Sequence, residues 1–152
     1  MYYTWAYVAL ILNITVCLYA SIRGGPAEKS GAAIYLIGWL ATTLVQKSEY
    51  TGIEWAKMAV DTIGFFAFVG LSLWARKIWT IFMAACQMDA VASHIAALLA
   101  PQFSYVTYIT VIGFWGGYGL MICLAIGTYS HQREMRIKRA NVIAPSEHSR
   151  QN

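Results

Sequence analysis

Hydrophobic residues run along this chain in long blocks, and the polar residues collect mainly between them. An apolar helix needs about 20 residues to cross a hydrocarbon layer of roughly 30 Å. Five blocks reach or approach that length, and they predict helices over about 3–22, 31–45, 55–74, 78–99 and 103–129. Arg23-Gly24-Gly25-Pro26 breaks the first from the second, because glycine frees the backbone and proline cannot continue the hydrogen-bond ladder. Ser30 is placed to cap the second helix. That helix is short for a full crossing, which leaves open a re-entrant or interfacial piece and four crossings in place of five. Only Ala75-Arg76-Lys77 separates the third and fourth helices, so they must form a tight antiparallel hairpin. Ala100-Pro101-Gln102 makes the next turn. From His131 onward the chain is polar and basic, and a helical stub followed by a disordered tail is expected over 131–152.

Composition sharpens this pattern. Of 152 residues, 59% are hydrophobic and 12% charged, whereas soluble domains carry about 25% charged residues. A disordered chain, a disulfide scaffold and an ordinary soluble domain are excluded. The net charge of +4 does not mark a nucleic-acid binder, because the basic residues sit at the ends of apolar blocks or in the tail. With the tail in the cytoplasm, Arg23, Lys29, Arg76, Lys77 and the five basic residues after His131 lie inside, and Lys47 and Lys57 outside. That satisfies the positive-inside rule for five crossings with the N-terminus out. The first block has no basic residue before it, so it is expected to be a retained helix and not a cleaved secretory signal. Tyr2, Tyr3, Trp5, Tyr50, Trp55, Tyr105 and Tyr108 fall at the predicted outer ends. Trp74, Trp79 and Tyr129 fall at the inner ends, and amphipathic rings favour both levels. The expected fold class is an all-α integral membrane bundle of five transmembrane helices over 1–130, with a cytoplasmic C-terminus.

Ionisable side chains inside such spans cost roughly 2.5–3.5 kcal/mol each on insertion scales. Helix 4 concentrates them. At 100° per residue, Cys86, Gln87, Asp89, Ala90, Ser93 and His94 share one half of the wheel, while Met88, Val91, Ile95 and Leu98 share the other. The apolar half suits lipid, and the small and polar half suits protein or water. Helix 3 carries Lys57 and Asp61 on a face with Gly64. Helical rise places Asp61 between Asp89 and His94 in depth. A polar cluster of Asp61, Asp89, His94, Gln87 and Ser93 is therefore expected. Two carboxylates in low dielectric do not both ionise cheaply, and a nearby imidazole can share the proton. The same residues also fit a purely structural network, with Asp61 paired to Lys57 near the interface. Asn13 lies near the centre of the first helix, and Thr42, Thr43, Thr107, Tyr108 and Thr110 add polar groups to the predicted outer half.

Other chemistry finds no foothold. One membrane histidine is too few for bis-histidine haem ligation. The three cysteines lack zinc spacing, and no hydrolase or nucleotide-binding motif occurs. No catalytic residue, metal or cofactor is assigned. Gly113-x-x-x-Gly117 would allow close helix approach, within the bundle or between copies. The hairpin residues Asp61, Arg76, Trp79, Ala84-Ala85-x-Gln87, Val91 and His94 resemble a pattern in small multi-pass bacterial inner-membrane proteins, although those often carry Trp-Pro where this chain has Trp79-Thr80. The resemblance implies a bacterial cytoplasmic-membrane location and no activity. Two functions are expected from different classes. One is a non-enzymatic subunit packing with partner helices, or with a second copy, in a membrane assembly. The other is a small-solute or proton-coupled transport or channel element using the Asp/His cluster. The lipid bilayer is the expected partner in both, and nucleic acid in neither.

Overall fold

The computed structural model describes residues 2–45, 55–99 and 110–148, with side chains over 7–45, 55–99 and 110–141. Every element among them is helical. The order is α1 (Tyr2–Arg23), α2 (Pro26–Val45), α3 (Trp55–Ala75), α4 (Ile78–Leu99), a π-helical segment (Gly113–Gly119) and α5 (Leu120–His148). Lys47, Tyr50, the turn at Pro101, the predicted start of helix 5 at Phe103 with Tyr105, Thr107 and Tyr108, and Arg150 lie outside the described residues, as do the side chains of Tyr2, Tyr3 and Trp5.

Among the described residues, α3, α4 and the stretch Thr110–Asn141 are long and apolar enough to cross a membrane. A shorter apolar stretch, Tyr7–Arg23, lies in α1. Each helix packs on the next along the chain, and α5 closes the ring by packing on α1 and α2. The surface is largely apolar, and the centre combines small residues with large ones such as Met83 and Leu124. Leu44, at 84% exposure, Ile63, Leu73 and Ile78 point outward, while Ala20, Ala32 and Ala90 are buried. Such an arrangement suits a hydrocarbon solvent, where close packing of small residues rather than hydrophobic burial holds helices together.

Helix α2 begins five residues earlier than the predicted Gly31, and the cause is local. Pro26 takes the first helical position, where its missing N–H costs nothing. Glu28 reaches back so that the Gly25 N–H donates to its Oε2 at 2.9 Å, the reciprocal half of a capping box. Ser30 lies inside the helix and does not cap its start. The α3–α4 hairpin forms as predicted, and Arg76 turns it with φ at 50°. The Arg76 N–H donates to the Ser72 carbonyl at 2.9 Å, the αL closure that usually employs glycine.

The last helix departs furthest from expectation. Four glycines between Gly113 and Gly119 accompany a widened π segment, a form found mostly as short insertions within α-helices. Helical structure then continues through the polar residues after His131 to His148, in place of a stub and tail. Gly113 and Gly117 do not make the close packing expected of them within the bundle, since a Cβ at either would meet nothing within 4 Å among the described residues. Close approach falls instead at Gly116 against Ala90, Gly119 against Cys86 and Gly127 against Trp79. These pairings run in opposite directions along the two helices and fix α5 antiparallel to α4.

Candidate functional site

The α3–α4 hairpin brings Asp61 against one edge of α4. Gln87 Nε2 donates to Asp61 Oδ1 at 2.8 Å and approaches the Asp61 carbonyl at 3.3 Å. His94 Nε2 lies 2.8 Å from Asp61 Oδ2. Gln87 and His94 are seven residues apart, two turns of helix, and so present to α3 from one stripe. Gly64 makes room for them, because a Cβ there would stand 3.4 Å from Gln87 Nε2. His94 is 1% exposed and Gln87 5%, while the Asp61 side chain keeps 16%. The carboxylate is thus engaged through both oxygens from α4.

Three of the five expected residues therefore meet. Ser93 turns back on its own helix and donates to the Asp89 carbonyl at 2.8 Å. The Asp89 carboxylate is half-buried and makes no hydrogen bond to the described residues. The geometry of the helix explains the separation: five residues turn the α4 wheel by about 140°, so Asp89 and His94 stand at opposite edges of the polar half. Helix α3 takes the edge with Gln87 and His94. The π segment and α5 take the centre, with Cys86 and Ala90. No two-carboxylate pair is assembled. Among the described residues, the site joins one carboxylate and one imidazole through the Oδ2–Nε2 contact, with Gln87 donating to the second oxygen.

Two further polar nodes stand outside the predicted cluster. Asn13 Nδ2 donates to Tyr35 Oη at 3.0 Å, and that hydroxyl donates to the Gly117 carbonyl at 3.4 Å. A chain of hydrogen bonds thus links α1, α2 and the π segment. Asn13 was visible as a polar residue in an apolar block, but nothing in the sequence pointed to Tyr35 as its partner. At the basic end of the bundle, where Arg23, Arg76 and His131 gather, Glu28 is 0% exposed and Lys77 Nζ donates to its Oε1 at 2.7 Å. The Pro26-x-Glu28 spacing is the signal that could have found this carboxylate.

No family model, no curated protein and no solved structure matches this chain. The hairpin resemblance accordingly stands on its residues alone.

Proposed function

We propose that this chain is a non-enzymatic multi-pass protein of the cytoplasmic membrane, with five spans, its N-terminus outside and α5 ending in the cytoplasm. In this proposal the Asp61–Gln87–His94 cluster handles a proton within a transport or channel element. The carrying observation is the 2.8 Å contact between Asp61 and His94 inside two membrane-capable helices. Ionisable residues within spans are costly, and they commonly mark substrate, ion or proton pathways. An Asp–His couple can lose or gain a proton with little movement of its heavy atoms. The distribution of basic residues supports the orientation.

The test is proton flux into vesicles containing the purified chain and a trapped pH-sensitive dye. Asp61→Asn keeps an oxygen for Gln87 and removes the ionisable group, so it should abolish flux while leaving abundance and thermal midpoint nearly unchanged. Flux equal to the unaltered chain's in Asp61→Asn and in His94→Gln would end the proton-handling proposal. A second function, a subunit that packs with partner helices, is favoured by the open faces of Gly113 and Gly117. Glycines four apart on an apolar helix let a neighbouring helix approach closely, and nothing among the described residues occupies that space.

A further inference from the structure

A cleft of about 690 Å³ opens at the basic end between the start of α4 and the middle of α5, well away from Asp61. Its lining changes character along the bundle axis. Because the two helices are antiparallel, Arg76 and Lys77 on one wall lie at the same end as Ser130, His131 and Glu134 on the other, while the exposed side chains of Phe82 and Ile126 line the cleft further from that end. The exposed rings of Trp74 and Tyr129 lie at the same end of the bundle, the level that aromatic side chains take at a headgroup boundary. A polar end, an apolar wall beyond it and the neighbouring aromatic rings together fit an amphiphile with its head at the polar end.

The charges at the polar end are divided between the walls. Lys77 is committed to Glu28, whereas Arg76 is exposed and makes no ion pair with the described residues. Arg76 also occupies its left-handed φ at 50°, where glycine would cost less. The cleft lining thus carries an arginine at a backbone position that disfavours any side chain. Across the opening, Glu134 supplies a carboxylate that would repel a purely anionic head. The complement of a guanidinium on one wall and a carboxylate on the other is a phosphate joined to a primary ammonium. We propose that this cleft binds one aminophospholipid, with Arg76 on its phosphate, Glu134 on its ammonium and an acyl chain along Phe82 and Ile126. This site is independent of the proton-handling cluster and goes beyond it.

Native mass spectrometry of the full chain in mild detergent tests the assignment. The probes are phosphatidylethanolamine, phosphatidylcholine and phosphatidylglycerol with identical acyl chains, offered in equal amounts. One bound phosphatidylethanolamine is expected, retained roughly fivefold over either competitor, the ratio that one near-surface charge contact gives. Glu134→Gln should erase that preference and keep lipid binding. Arg76→Gly should lower retention roughly fivefold while the thermal midpoint stays level or rises, a combination that a merely structural arginine would not give. If Arg76→Gly fails to fold, Glu134→Gln, at an exposed helical position, decides the matter by itself. Equal retention of the three lipids, preference for phosphatidylglycerol, displacement by millimolar inorganic phosphate, or an Arg76→Gly variant that folds and binds as before would each overturn the proposal.

Discussion

Trp79 fills the space between α2 and α5 so closely that two glycines are needed to seat it. A Cβ on Gly31 would stand 3.1 Å from its Cη2, and one on Gly127 would stand 2.5 Å from its Cδ2 and 2.7 Å from its Cε2. The second approach cannot be relieved by swinging a flexible side-chain end, because the ring itself is in the way. Gly127→Ala should therefore cost about 1–3 kcal/mol through overpacking, seen as a lower thermal midpoint in detergent. Gly70, in the interior of α3, has nothing within 4 Å of a Cβ. Gly70→Ala should leave the midpoint level or raise it, since alanine is the better helix former by about 0.5–1 kcal/mol. Equal effects of the two substitutions would show that the indole does not set the spacing. In the sequence Trp79 looked like an interfacial aromatic at a helix end. Its buried position depends on glycines 48 residues to either side, and no local pattern carries that information.

At the level of elements, the α3–α4 hairpin was the most legible part of the chain. A three-residue turn leaves two apolar helices no choice of neighbour, and the 100° periodicity of α4 showed which half must avoid lipid. Hence Asp61, Gln87 and His94 were found together from sequence. The same wheel admitted Asp89 and Ser93, because a half-wheel is wide enough to touch two neighbours and periodicity does not say where one contact ends. The structure divides that half between α3 and α5. The division predicts unequal consequences for residues that looked alike: Gln87→Leu withdraws the donor from Asp61 Oδ1 and should cost about 1–3 kcal/mol, while Ser93→Ala, losing a bond within its own helix, should stay within about 0.5 kcal/mol. Thermal unfolding of the two variants side by side separates them, and a Ser93→Ala loss as large as that of Gln87→Leu would contradict the division. The start of α2 was misplaced for a different reason. The charged pair Glu28-Lys29 interrupts the apolar block, so hydropathy pointed to Gly31, although proline at the first helical position followed by glutamate two residues on was the stronger chemical signal. The π segment left no trace beyond its glycines, which also suit an ordinary close-packed helix.

Across the whole molecule, the bundle presents many large apolar side chains outward, and its centre combines alanine and glycine with a few large side chains such as Met83 and Leu124 and with paired polar groups. In a hydrocarbon surrounding, close packing and interhelical polar contacts take over from burial against water. The Glu28–Lys77 pair ties the α1–α2 turn to the α3–α4 turn, 49 residues apart. Lys77→Met would strand a carboxylate that is wholly buried, at a cost of about 3 kcal/mol. Replacing both residues by methionine should restore most of that loss, because no uncompensated charge remains. A double variant no more stable than Lys77→Met would argue that the pair acts through shape and not through charge.

That pairing also bears on how the chain is made. Translation delivers Glu28 before its ammonium partner exists, so the first two helices are made with the Gly25 N–H as the carboxylate's partner within their own turn. The group that completes the pair comes 49 residues later, with the α3–α4 turn.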